Sequence, residues 1–216
     1  MTVLFDLDGT LTDSQVGILS SINHALVRLG KRELPVEELA IYLGPPLQHT
    51  FGDLLDTDDG ELIAAAIAAY RERFAVKGLF ENEVYPGIPN LLQSLCDAGT
   101  DLYVATSKPV LYARQIIEHF NLEKFFRGIY GSEMDGRRSD KEELIAHVVA
   151  QENLSAEETW MIGDRRHDVI GGRANDLQTV GVLWGYGSRE ELVTAGASHL
   201  CEEPGGLQIL LTEGKS

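Results

Sequence analysis

From Tyr85 onward the chain alternates between two hydrophobic periods, and that alternation leaves few folds open. Helical spacing over Ile88–Ala98 closes at Gly99, and Asp101-Leu102-Tyr103-Val104-Ala105 then reads as a strand. The pattern recurs three times. A helix over Val110–Phe120 precedes a short strand at Gly128–Tyr130, a helix over Lys141–Glu152 precedes Thr159–Ile162, and a helix over Asp168–Asn175 precedes Thr179–Val182. Strands alternating with helices of this length imply a parallel sheet with helices on both faces. Right-handed crossovers bring every strand's C-terminal end to one edge, where open α/β sheets bind ligands. The tail after Gly205 is polar-ended and is expected to fray.

The first residues add one more strand. Val3-Leu4-Phe5-Asp6-Leu7-Asp8-Gly9-Thr10 is an apolar run that ends in two acids and a turn. Side chains alternate along a strand, so Asp6 and Asp8 are expected on one face with Leu7 on the other. Two carboxylates about 4 Å apart at an effective dielectric near 20 repel by roughly 4 kcal/mol. Such a pair calls for a retained proton or a divalent cation. Residues 14–84, by contrast, show no strand candidate. Ile18, Ile22, Ala25, Leu26 and Leu29 recur at helical spacing behind Asp13 or Ser14 as N-cap. Further helices are expected over Val36–Leu43, with Pro35 in the first turn, over Leu47–Leu55, and from the Thr57-Asp58-Asp59 cap to near Gly78. The expected fold class is therefore α/β, a Rossmann-like parallel sheet core (1–13 and 85–216) interrupted by an all-helical insertion (14–84).

Charge narrows the function classes. The chain carries 18 Lys+Arg against 34 Asp+Glu, a formal charge of −16. That field repels nucleic-acid backbones and anionic lipid, so neither is an expected partner. No apolar run approaches the ~20 residues of a membrane span, and no secretory signal is visible. Cys96 and Cys201 have no metal-ligand spacing and read as small buried thiols of a reducing cytosol. A cytoplasmic protein, monomeric or weakly dimeric, is expected.

The polar residues at the strand ends carry the chemistry. Asp6 and Asp8 follow the first strand, Thr106-Ser107-Lys108 the second, Gly131–Asp140 leads to Lys141 after the third, and Gly163-Asp164-Arg165-Arg166-His167-Asp168 follows the fourth. Hydroxyls, a lysine and carboxylates are the groups that bind a phosphate and a hard cation. An acidic protein acting on anions has to supply such positive charge locally. His167 itself reads as a hydrogen-bonded or surface histidine, and Arg165 as a partner for a neighbouring acid.

Asp6-Leu7-Asp8-Gly9-Thr10, Thr106, Lys141 and Gly163-Asp164…Asp168 together resemble the four motifs of the haloacid-dehalogenase-like (HAD) phosphohydrolases, in order and rough spacing. The resemblance covers nearly the whole chain, and the helical insertion after the first motif looks like the C1-type cap domain. Tyr85-Pro86-Gly87 and Thr106-Ser107-Lys108-Pro109 look like the phosphoglycolate phosphatase branch. Asp135-Gly136-Arg137-Arg138 and Trp184-Gly185-Tyr186-Gly187 are similar to relatives known as 5'-nucleotidases.

The resemblance implies a Mg²⁺-dependent phosphatase acting on a small phosphorylated metabolite through an aspartyl-phosphate. In it Asp6 is the nucleophile and Asp8 the general acid and base. Thr106, Ser107 and Lys141 bind phosphate. The metal is held by Asp6, Asp164 and the backbone carbonyl of Asp8, whose side chain stays free, with Asp168 a ligand or an outer-shell partner. Ser107 stands where this branch usually has Asn, which puts a side-chain contact there in doubt. Substrate choice falls to the cap, with Gly44–Gln48 and His24 or Arg28 as candidates against a plain reading as turn and solvated helix face. Two alternatives use the same residues: a phosphomutase of the β-phosphoglucomutase type, told apart by turnover of a sugar bisphosphate, and a non-catalytic phosphate-responsive regulatory domain, told apart by release of no phosphate from any ester.

Overall fold

The computed structural model describes residues 1–213. In chain order, β1 (Thr2–Phe5) and β2 (Thr12–Asp13) precede the helices α1 (Gln15–Arg28), α2 (Val36–Leu39), α3 (Leu47–Leu55) and α4 (Gly60–Arg73). After β3 (Glu83–Val84) come α5 (Ile88–Asp97), β4 (Asp101–Pro109), α6 (Val110–His119), β5 (Gly128–Ser132), α7 (Lys141–Glu152) and β6 (Thr159–Gly163). The chain closes with α8 (Arg166–Ala174), β7 (Gln178–Val182), α9 (Arg189–Ala195), β8 (His199–Cys201) and α10 (Pro204–Glu213). Contacts divide it into two compact units, one of Met1–Thr12 with Val84 onward and one of Asp13–Glu83.

In the first unit six strands pair in parallel in the order β5-β4-β1-β6-β7-β8. The chain winds outward from β1 through β4 to β5, then crosses back to build β6, β7 and β8 on the other side. The direction of winding therefore reverses between β1 and β6, the switch point where the following loops diverge and leave a crevice. Every residue of β1 is buried, so both faces of the sheet are covered. On one face Leu4, Tyr103, Ala105 and Met161 pack against Leu144, Ile145 and Val148 of α7. No helix among the described residues is long and apolar enough to cross a membrane.

The helical unit holds together by close backbone approach and stacked rings. A Cβ on Gly17 of α1 would lie 2.0 Å from the Gly78 carbonyl, so only glycine lets the two segments touch. Tyr70 stacks on Phe74 with centroids 5.2 Å apart, and Phe51 meets Tyr70 edge-on. Asp59 caps α4 as expected, accepting from the Glu61 and Leu62 amides.

Several expectations fail at short or irregular elements. Glu83–Val84 lies in the stretch read as wholly helical, yet it pairs with Thr12–Asp13 as a two-stranded ribbon; two residues carry no period to detect. The same shortness hid β8 and α9. Pro35 is the N-cap of α2, not a first-turn residue, and that helix ends at Leu39 before a 3-10 turn. Strand β4 continues to Pro109, four residues beyond its apolar run. The tail expected to fray is helical through Glu213; its remainder lies outside the described residues. Cys96 and Cys201 are both free thiols, Cys201 buried and Cys96 half-buried.

Candidate active site

The strand ends deliver their polar groups to one place, by different local means. Asp6 extends β1 by one residue, its N–H donating to the Ile162 carbonyl at 2.9 Å. The chain then turns. The amides of Leu11 and Thr12 both fold back to the Leu7 carbonyl, and Gly9 takes φ 83°, a value glycine adopts without strain. Asp8 thus belongs to the turn and not to a strand, so the alternation rule does not govern it. Asp6 faces Lys141 at 2.9 Å, whereas Asp8 pairs with Lys108 at 2.7 Å. The two carboxylates thus have separate lysine partners, and the Asp8 side chain lies outside the group formed by Asp6, Asp164 and Asp168.

Lys108 reaches Asp8 because β4 is irregular at its end. The β4–β5 register shifts between Thr106 and Pro109, and such an irregularity re-aims the side chains around it. Gly131 of β5 lies so close that a Cβ there would sit 2.4 Å from the Lys108 carbonyl. Thr106 is buried, its hydroxyl accepting from the Lys108 amide at 3.3 Å. Ser107 contributes its carbonyl to Ser132 Oγ–H at 2.8 Å.

Lys141 occupies the first turn of α7, a poor place for a cation beside the helix dipole. Carboxylates compensate. Its ammonium lies 2.6 Å from Asp168 Oδ1 and 2.9 Å from Asp6 Oδ1, and donates to the Ala105 carbonyl at 2.7 Å. The α7–α8 crossing makes this contact possible, since a Cβ on Gly171 would come within 2.9 Å of the Lys141 backbone. Burial pulls the ammonium toward its neutral form, but Asp168 and Asp6 outweigh that and hold its pKa above the usual value.

Asp6, Asp164 and Asp168, all buried, each offer a carboxylate oxygen within 4.8 Å of the others. Asp164 accepts from Thr10 Oγ–H and from the Tyr186 amide; Asp168 accepts from the Arg165 amide at the start of α8. Burial, with the charges of Asp168 and Asp6, drives the Asp164 carboxyl well above its ordinary range against the pull of the Tyr186 N–H. Burial also pushes Asp168 up, to about 6, with Lys141 opposing and Asp6 reinforcing. These shifts show a cluster short of positive charge. Three carboxylates, counted as ionised, against one lysine leave a net −2, and Asp6 Oδ1 and Asp168 Oδ1 accept no aligned hydrogen bond from the described residues even at their ion-pair distance from Lys141. An all-oxygen donor set with that deficit fits a hard divalent cation. The carboxylate of Asp8 is not a member of the trio, and Asp168 stands inside it.

The outlying charges have other partners. Arg165 binds Glu191 at 2.9 Å, Arg137 binds Asp135 at 2.9 Å, and Arg138 pairs with Glu133. His167, expected to be hydrogen-bonded or exposed, is half-buried, and its Nε2 has no hydrogen-bond partner among the described residues. Within the helical unit, His24 and Arg28 both approach Glu72, at 3.8 and 2.9 Å. Sequence reasoning left four site residues without a role: Lys108, Thr10, Trp184 and Tyr186. Lys108 stood in the right strand-end group, and the other three act through contacts with residues far along the chain that no local pattern signals.

The sequence matches the haloacid dehalogenase-like hydrolase family over residues 3–182. A 5'-nucleotidase of Pseudomonas aeruginosa is 46% identical over 209 residues, 97% of this chain and 94% of that protein. The tyrosine-protein kinase PtkA of Mycobacterium tuberculosis is 45% identical over 186 residues, which are 86% of this chain and 62% of that longer protein. A solved structure described as a predicted phosphatase from Clostridium acetobutylicum, 43% identical, superposes with a TM-score of 0.94 over 98% of both chains.

Proposed function

The chain belongs to the haloacid dehalogenase-like hydrolase family and is a phosphatase of that family, and from that premise we propose that it hydrolyses small phosphate monoesters, of nucleoside 5'-monophosphate or phosphoglycolate type, with Mg²⁺ and through a phosphorylated Asp6. The observation that supports this reading is the convergence of Asp6, Asp164 and Asp168 on one point beside Lys141, with Asp8 and Lys108 at the neighbouring strand end.

In the first half-reaction an Asp6 oxygen attacks phosphorus and the bond to the ester oxygen breaks. Asp8 gives its proton to the departing alcohol. In the second, Asp8 takes a proton from water, whose oxygen attacks phosphorus and frees inorganic phosphate and the Asp6 carboxylate. Lys141, 2.9 Å from Asp6, offsets charge on the nucleophile and on the transferring group. Lys108 holds the Asp8 carboxylate in place at 2.7 Å and adds a second positive charge to the edge. Thr106 and Ser107 offer hydroxyl and amide donors to phosphate oxygens. Asp6, Asp164 and the Asp8 carbonyl, with Asp168 beside them, would hold Mg²⁺, which would supply charge shielding between the nucleophile and the incoming dianion. We assign substrate choice to the helical unit as a cap, with the Gly44–Gln48 loop as the first segment to exchange.

The test is phosphate release from a panel of nucleoside monophosphates, phosphoglycolate, sugar phosphates and a sugar bisphosphate, with Mg²⁺ and with chelator. Release that depends on Mg²⁺ and vanishes in Asp6→Asn is the expected result. Equal rates for the parent and that variant would remove the assigned nucleophile.

A further inference from the structure

Resting on the cation-assisted reading above, we propose that the loop after β7, Trp184–Gly187, is a strap that positions Asp164 and thereby sets how tightly the acidic trio holds its cation. The loop reaches Asp164 by two routes. Directly, the Tyr186 N–H donates to Asp164 Oδ2 at 2.8 Å. Indirectly, the Trp184 indole N–H donates to the Thr10 carbonyl at 3.0 Å, and the Thr10 hydroxyl donates to Asp164 Oδ1 at 3.2 Å. Trp184 therefore pins the turn after β1 against the ligand at the end of β6, across the switch point of the sheet.

Two glycines allow the approach. A Cβ on Gly185 would lie 2.2 Å from the Gly9 carbonyl and 2.4 Å from Asp164 Cβ, and one on Gly187 would lie 1.9 Å from the Asp164 carbonyl. The strap wraps the backbone and side chain of one aspartate so closely that Asp164 is 0% exposed. Each oxygen of a carboxylate has two lone-pair directions, so one donor on each fixes the group's rotation and leaves a lone pair for a cation. Asp168 also has a donor beside each oxygen, the Arg165 N–H at Oδ2 and the Lys141 ammonium at Oδ1, and Asp6 has Lys141 at Oδ1, but none of these comes from the loop. Among the three acids, Asp164 is the one whose aim the loop controls. Trp184 is a positioning residue in this scheme and touches no reacting atom.

The experiment measures Mn²⁺ binding directly, from the paramagnetic resonance of the free ion, in the parent and in Trp184→Phe, which keeps an aromatic ring and removes the indole donor. Loss of a bond made directly to a metal ligand typically weakens affinity by about 10-fold or more; that is the expected rise in Kd for Thr10→Val, and Trp184→Phe, one link further out, should raise Kd in the same direction by less, with circular dichroism unchanged. Thr10→Val removes the next link, and the double variant should bind no worse than the weaker single one, because both cut the same route. A second readout needs no change in the strap. The chain has two tryptophans, so in Trp160→Phe the remaining emission is that of Trp184, and it should shift on Mg²⁺ addition with the midpoint of Mg²⁺ competition against Mn²⁺. Equal Mn²⁺ affinity in parent and Trp184→Phe, or a flat Trp184 signal while Mg²⁺ displaces Mn²⁺, would overturn the strap and leave the cation site standing. A parent that binds no Mn²⁺ would overturn the cation reading itself.

Discussion

Both units carry ordinary ion pairs between opposite charges, but only the sheet unit, among the described residues, also buries like charges together. In the helical unit acids lie beside bases at exposed or partly exposed positions, Glu72 beside Arg28 at 2.9 Å and Glu81 on Arg73 through a two-bond fork of 2.7 and 2.8 Å. In the sheet unit three acids of like charge are buried together, and one lysine contacts two of them, Asp6 and Asp168. The first arrangement is what solvent screening and geometry readily produce. The second works against folding, since each buried acid raises the energy of the others. A cluster retained at that cost points to where the chemistry sits. The helical unit has no comparable group of acids among the described residues.

The sharpest way to break this comparison is Asp6→Asn. Phosphate release should fall by at least about 10³-fold, as for loss of other enzyme nucleophiles, and a phosphate assay on the folded variant checks it. Next comes Lys141→Met, which leaves buried acids without their shared cation. Removing one partner of a buried ion pair commonly costs about 3–5 kcal/mol, so calorimetry should show the melting point lower by on the order of 10 °C. Added Mg²⁺ should recover part of the loss. An unchanged melting point would mean that the acids are not the charge-poor cluster described here.

Acid titration gives a smaller effect of known sign. The hydrogen bonds from Arg73 hold the Glu81 carboxyl below its usual range, against a lesser opposing push from burial. A depressed folded pKa stabilises the fold above the unfolded value and loses that contribution as pH falls through the folded one. Arg73→Met should therefore narrow its stability gap to the parent as pH drops below the ordinary glutamate range, measured by urea midpoints at several pH values. A gap that widens there would reverse the assignment. The smallest change is expected from Arg28→Ala, which removes an exposed pair worth less than about 1 kcal/mol. A loss in unfolding free energy as large as that of Lys141→Met would erase the distinction between the units.

Much of the site could be read directly from the chain because its members lie at the ends of regular strands. Asp6, Thr106 and Asp164 each close or follow an apolar run whose period is visible, and a parallel sheet leaves such ends no other place to go, while Lys141 and Asp168 lie in the first turns of the helices that leave the same edge. The partners of Asp8 and Asp164 lay beyond that logic. Lys108 meets Asp8 within the register shift after Thr106, and the turn at Gly9 removes Asp8 from strand alternation. Trp184 and Thr10 are 174 residues apart in the chain and meet through a loop.

The sequence by itself determined the layers, the parallel sheet and the edge on which the acids gather, because hydrophobic period and crossover handedness are local or nearly local rules. Which lysine serves which acid, and which loop aims Asp164, was decided only when distant turns closed on one another. Those choices depend on register shifts, positive φ angles and glycine contacts, whose geometry exists only once the backbones have met.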